Sequence, residues 1–226
     1  MILNQETGGI QLPAQSVAER IPPLSSRGHA SGHLTVGEGE KRRVLLVESN
    51  LEFKWALILD ADPDVAEIKE QVRFDWPEGQ RLRTHYFDFV VQMRSGQRAA
   101  LIVKPAKRAR TDKFLIETRK IAEHVVRTGF ADETRVLTDE DVDPVQLRNA
   151  RLFLSVREED EQADSAAQSL AQNLFGAVPI SELVSQLNLG ARGFRALARL
   201  IASGRLECLH HETISPSTLV KRGMSQ

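Results

Sequence analysis

Cysteine is almost absent from this chain of 226 residues: Cys208 is the only one, which excludes an intrachain disulfide and any cysteine-based zinc site. Net charge is nearly absent too, with 30 Lys and Arg against 31 Asp and Glu. No global field therefore draws the protein to nucleic acid or to acidic membranes, and any such affinity must come from local patches. Long apolar runs are missing as well. Residues 56–59 and 89–91 fall far below a membrane span, and residues 1–10 lack the profile of a signal peptide, so a cytoplasmic protein without a membrane role is expected. The six histidines are scattered. Neighbouring His210 and His211 would face opposite ways in a strand, which suits a solvated turn better than a metal site. What is present is ordinary globular material, 41% apolar and 27% charged, long enough for one good-sized domain and a small one.

Residues 85–105, HYFDFVVQMRSGQRAALIVKP, read as a two-stranded hairpin. Phe87, Phe89 and Val91 alternate with Tyr86, Asp88 and Val90, Ser95 and Gly96 supply the turn, and residues 99–103 form an apolar return strand. A turn centred on Gly96 sets Asp88 opposite Lys104, with Ile102 on the same face as Lys104. Charges inside apolar strands are costly unless they are paired, hydrogen-bonded or metal-bound. Either a structural ion pair at a sheet edge or a working site accounts for them.

Around this hairpin the chain falls into segments. Residues 1–40, rich in Gly, Ser, Gln and Pro, read as an extended arm or a disordered tail. Its Arg20, Arg27, His29 and His33, followed by Lys41, Arg42 and Arg43, either track a phosphate backbone or merely keep the arm soluble. A helix begins near Glu48, with Leu51, Trp55, Ile58 and Leu59 at helical spacing and Glu52 on its apolar border. Residues 65–74 form a strand and residues 76–79 a turn. Lys104, Lys107, Arg108, Arg110 and Lys113 make a basic run, either a solvated face or the track of a nucleic-acid backbone. It opens a helix over 111–128 with Ile116, Ile121, Val125 and Val126 on the buried side and Gly129 as the cap. Residues 135–137 form a strand, and residues 145–156 a helix or a helix and strand. The order is that of an α/β core, a mixed sheet with flanking helices.

The acidic residues 158–164 mark the expected domain boundary. Beyond them, a helix over 180–187, a turn over 188–190 and a helix over 191–203 precede a small β wing over 205–214. Phe194, Leu197, Ala198 and Ile201 share one face of the second helix, and Arg192, Arg195 and Arg199 the other. The pattern fits a helix-turn-helix that enters a major groove, or a small interaction domain whose arginines are solvated.

From about Arg20 onward the chain resembles the TnsA-type transposon-end endonucleases, a branch of the PD-(D/E)xK nuclease superfamily. The resemblance rests on VESNLEFKWALILDADPDVAEIKEQ, THYFDFVVQ, LIVKPAK, TDKFLIETRKIAEHVVRTGF, VLTDEDV and LRNARLFL, in this order. It implies a restriction-endonuclease-like α/β core over 41–157 and a small winged-helix-like C-terminal domain over 165–226. The implied activity is metal-dependent cleavage of DNA at transposon ends by phosphodiester hydrolysis. The family's helix glutamate falls on Glu52, the aspartate of its PDF-like strand on Asp88 and its strand lysine on Lys104. Glu52 and Asp88 would hold Mg²⁺ (or Mn²⁺), which activates a water, and Lys104 would orient that water or neutralise the phosphate. DNA would pass Lys107, Arg108 and Arg110 and meet Arg192, Arg195 and Arg199. The implied partners are a DDE-type transposase subunit that handles the other strand and an AAA+ ATPase regulator.

One position departs from the family. Two residues before the lysine the family has Glu or Gln, and this chain has Ile102, which offers a metal only its backbone carbonyl. A milder departure is Tyr86 and Phe87 where a proline is usual. Ile102 sustains a second expectation, a catalytically weakened or inactive nuclease-fold subunit that binds DNA and assembles the complex. A stand-alone restriction-like or repair nuclease is the third.

Overall fold

The computed structural model describes residues 2–3, 10–21, 31–37 and 39–223; Arg27 and His29 of the expected arm lie outside them. The chain divides into two compact units. One comprises Gln11–Asp60 and Asp64–Val142, and the other Asp143–Gln226 with Met1–Ile10 and Ala61–Pro63. Two short strands, β1 (Ile2–Leu3) and β2 (Ile10–Gln11), pair with each other. Among the described residues no helix is long and apolar enough to cross a membrane.

The first unit opens with an antiparallel pair, β3 (Gly32–Val36) and β4 (Arg43–Val47), followed by helix α1 (Asn50–Asp60). A four-stranded mixed sheet follows in the order β5 (Val65–Glu78), β6 (Arg81–Met93), β7 (Arg98–Val103) and β8 (Glu133–Leu137). The first three strands run antiparallel, whereas β8 lies parallel to β7. That parallel step needs a crossover, which α2 (Ala106–Ala109) and α3 (Asp112–Thr128) supply. Residues 99–103 of β7 are all buried, which fits a strand covered on both faces.

Part of the expected arm is not an arm. Gly32–Val36 is a strand, and Ala14 bonds β4 on both sides, its nitrogen to the Arg42 carbonyl and its carbonyl to the Val44 nitrogen, each at 2.8 Å. A buried acid holds this segment down. Glu70, fully buried on β5, accepts from Arg43 Nη1 at 2.7 Å and from Ser16 Oγ at 2.5 Å. Removing Arg43 would leave the Glu70 carboxylate in the interior without its counter-charge.

Two other expectations shift for physical reasons. Residues 76–78 remain in β5 because Trp76 is buried against the His124 ring, 5.2 Å away, so the turn waits for Gly79. Pro77 is tolerated there because β5 is an edge strand. On α3 the buried residues are Ile121 and Val125, while Ile116 and Val126 are exposed. Ile116 lies nine residues before Val125, half a helical rotation away. Gly129 does cap α3, at φ +68° with its nitrogen donating to the Val126 carbonyl.

The second unit begins earlier than the acidic stretch suggested. Helix α4 (Pro144–Val156) belongs to it, and Asn149 bonds the Ile214 nitrogen and the Glu212 carbonyl, both at 2.9 Å. The acidic residues 158–164 are instead the start of α5 (Glu161–Gln172), capped by Asp160. Then come β9 (Val178–Pro179), α6 (Ile180–Leu187), α7 (Ala191–Ala202), β10 (Leu206–Cys208) and β11 (Leu219–Arg222). The strands form a sheet in the order β10, β11, β9, and Ala163, Ala167 and Ala171 of α5 share one apolar cluster with Leu197 and Leu200 of α7.

Candidate active site

Glu52 is placed by the start of its helix. The sequence Ser49-Asn50-Leu51-Glu52 forms a reciprocal cap: the Glu52 nitrogen donates to Ser49 Oγ at 3.1 Å, and Ser49 Oγ donates to Glu52 Oε1 at 2.8 Å. The Glu48 nitrogen donates to Glu52 Oε2, also at 2.8 Å. Both carboxylate oxygens of this buried residue therefore already have partners. Burial nevertheless raises its pKa above the ordinary value, against the pull of those bonds and of Lys104. The S-x-x-E spacing was a readable signal for this cap.

Asp88 lies on β6, and its Oδ2 accepts from the Val103 nitrogen at 2.7 Å. Burial first, and then the charge of Glu52, push its pKa up to about 7; the Val103 bond and Lys104 oppose the shift. The pairing register corrects one expectation. Phe89 faces Leu101 and Val90 faces Ala100, so one step further Asp88 stands level with Ile102, not Lys104. The Met93 nitrogen bonds the Gln97 carbonyl at 2.8 Å, which closes the turn earlier than a loop centred on Gly96 would and moves the return strand by two residues.

Lys104 follows β7, its nitrogen donating to the Leu137 carbonyl at 2.9 Å. Its ammonium forms no ion pair among the described residues but acts electrostatically on Glu52, Asp88 and His85. The structure thus brings Glu52, Asp88 and Lys104 into one electrostatic cluster. Ile102, only 2% exposed, packs with Val90, Ala100, Ile121 and Val125 at the apolar border of that cluster. Among the described residues no three His, Cys, Asp or Glu side chains form a group that could hold a metal ion. No protein-family model matches the chain, and no curated protein matches it.

Four further residues surround the carboxylates, and the sequence did not single them out for this place. His85 has its Nε2 buried without a partner, and burial, Lys104 and Arg20 lower its pKa to about 4. Gln71, fully buried, adopts φ +50° between the paired couples Glu70–Phe89 and Val72–Phe87, level with Asp88. Glu48 adds negative charge to both Glu52 and Asp88. Arg20 donates to Gln71 Oε1 through Nε and Nη2, at 3.2 and 2.7 Å, and through Nη2 to Glu48 Oε1 at 2.6 Å.

The expected DNA-contacting residues differ among themselves. Lys107 and Arg108 are exposed and form no ion pair among the described residues, whereas Arg110 pairs with Glu140. In the second unit, Arg192 binds both oxygens of Asp160, at 2.6 and 2.8 Å, and holds the Asp160 pKa down at about 2. Arg199, with its side chain 14% exposed, bonds Asp164 Oδ1 and the carbonyls of Val156 and Glu158. These two arginines brace the start of α5. Arg195 alone of the three is exposed without a partner among the described residues.

Proposed function

We propose that this protein is a metal-dependent DNA endonuclease, acting as the end-cleaving subunit of a heteromeric transposase. The observation that carries the reading is the pair of enclosed acids, Glu52, whose pKa burial raises, and Asp88, whose pKa burial and the charge of Glu52 raise, beside a lysine without an ion-pair partner among the described residues. Two such carboxylates fit a divalent cation, because an ion relieves the repulsion that a proton now relieves at Asp88. Mg²⁺ or Mn²⁺, held by Glu52, Asp88 and the Ile102 carbonyl, would supply the polarisation of a phosphodiester and of its attacking water. Lys104 would neutralise charge gathering on the phosphate oxygens. The exposed Lys107 and Arg108, just beyond Lys104, would guide the backbone past the pocket.

The mixed sheet with α1 and α3 supports a restriction-endonuclease-like core for the first unit. The order α5, β9, α6, α7, β10, β11 supports a winged-helix-like second unit. Its Arg195 is the residue of α7 available to DNA or to a partner such as a DDE-type transposase subunit or an AAA+ ATPase.

A second reading, an assembly subunit with the nuclease fold and no cleavage, is favoured by the occupied oxygens of Glu52 and the apolar packing of Ile102. The deciding experiment combines the protein and its partner subunits with labelled element-end DNA and Mg²⁺ or Mn²⁺. Strand cleavage lost in Asp88→Asn supports the first reading. Stable complex formation without cleavage supports the second.

A further inference from the structure

Glu52, Asp88 and Glu48 together present an anionic pocket, and a phosphodiester cannot approach one without cations on more than one side. Lys104 stands on one side. Beside the pocket, Arg20, on the segment before β3, reaches Glu48 and Gln71. Glu19, next to it, is pinned to β5 twice: its nitrogen donates to the Gln71 carbonyl at 3.3 Å, and its Oε2 accepts from the Arg73 nitrogen at 2.5 Å. The guanidinium lies over the Tyr86 ring, 5.1 Å from its centroid, and His85 feels both Arg20 and Lys104.

The holder of Arg20 is unusual. A buried glutamine with φ +50° is a strained backbone, and such strain persists where the surroundings impose it. Its amide oxygen takes both Nε and Nη2 of Arg20. Nη1 forms no hydrogen bond among the described residues, and the side chain is 42% exposed. A fork fixed on one edge by Gln71, with the other edge held only through Nη2 by Glu48, can present Nη1 and Nη2 to phosphate oxygens once Glu48 is displaced.

We infer that Arg20 is a phosphate-contacting residue of this pocket, positioned by Gln71 and restrained by Glu48 until a nucleic-acid backbone displaces the Arg20–Glu48 ion pair. The inference rests on the pocket receiving DNA. Glu48 then acts in two ways. It competes with phosphate for the guanidinium, and once released it adds a third carboxylate beside Glu52 and Asp88.

The test is fluorescence-anisotropy titration of a labelled duplex with the full chain, in chelator, over a range of salt. Arg20→Ala is expected to weaken binding several-fold and to reduce the slope of log affinity against log salt by about one. Arg20→Lys, which keeps the charge but not the fork, retains the slope and loses part of the affinity. Glu48→Gln tightens binding, and this gain disappears on an Arg20→Ala background, because the two residues act through one another. Melting curves identify any variant that has lost its fold, in which case the Lys and Gln variants decide. If the wild type binds and the Arg20 variants match it in affinity and slope, Arg20 is only a brace. An equal gain from Glu48→Gln with and without Arg20 also overturns the inference, since Glu48 would then repel DNA directly. No binding by the wild type overturns the nucleic-acid reading itself, and the inference with it.

Discussion

The backbone nitrogen of Val103 donates a 2.7 Å hydrogen bond to Asp88 Oδ2, tying the end of the strand that precedes Lys104 to the carboxylate at the centre of the site. An asparagine oxygen can accept the same bond, so charge can be removed there with little change of shape. Asp88→Asn is expected to fold and, in the assembled complex, to cleave at least about 100-fold more slowly, with Lys104→Ala similarly impaired. Cleavage assays on folded variants decide, and wild-type rates in both would remove the catalytic assignment.

Asp88 and His85 act on stability in opposite senses. Asp88, with its pKa raised from 3.8 to about 7, holds a proton in the folded state that the unfolded chain has released, so its contribution is lost as pH rises between those values. His85, with its pKa lowered from 6.5 to about 4, excludes a proton that the unfolded chain binds, so its contribution grows with pH between about 4 and 6.5. The two slopes nearly cancel there. Chemical denaturation in chelator is expected to show Asp88→Asn gaining stability as pH rises from 4.5 to 6, and His85→Gln losing it. Parallel curves for both variants would contradict the shifts. Added Mg²⁺ should stabilise the wild type more at pH 8 than at pH 6, since the ion competes with the Asp88 proton.

Much of the architecture was legible in local pattern. Period-two alternation found the hairpin, helical spacing found α1, α6 and α7, and Gly129 was visible as a cap. What the sequence hid was set by contacts between distant residues. The hairpin register turned on which turn residues closed it, and a shift of two residues replaced Lys104 by Ile102 beside Asp88. The buried face of α3 was misjudged because its apolar residues do not form a single stripe. Arg192 and Arg199 looked like a basic surface, but Asp160, just before α5, and Asp164, in its first turn, pair with them. Arg20 stands 51 residues from Gln71 in the chain, and no spacing rule joins them.

In the second unit, Arg199 and Arg195 should behave differently. Arg199→Ala removes the bonds to the Val156 and Glu158 carbonyls and to Asp164 Oδ1, and is expected to cost about 1–3 kcal/mol. Arg195→Glu is expected to leave the melting temperature within about a degree or two, since an exposed side chain without partners contributes little to folding. Its effect should instead appear in gel shifts or in pull-downs of partner subunits. Unchanged binding would show that this face of α7 is only solvated.

Ile102 offers the sharpest test, because it stands level with Asp88 on the same face of the sheet while packing against Val90 and Ala100. Ile102→Val removes one methylene from that packing and should cost about 0.5–1.5 kcal/mol, with or without metal. Ile102→Glu puts a third carboxylate beside Asp88 and Glu52. Without a cation it should destabilise the fold by several kcal/mol, as an unpaired buried charge does. With Mg²⁺ the same carboxylate becomes an oxygen ligand, so much of that loss should be recovered and cleavage should rise above the wild-type rate. Thermal melting of both variants with and without Mg²⁺, run beside the cleavage assay, separates the cases. Recovery confined to Ile102→Glu places its side chain in an ion-binding pocket. Equal losses with and without Mg²⁺ would mean that the side chain at this position turns into the apolar cluster, and that Asp88 and Glu52 face no divalent ion from β7.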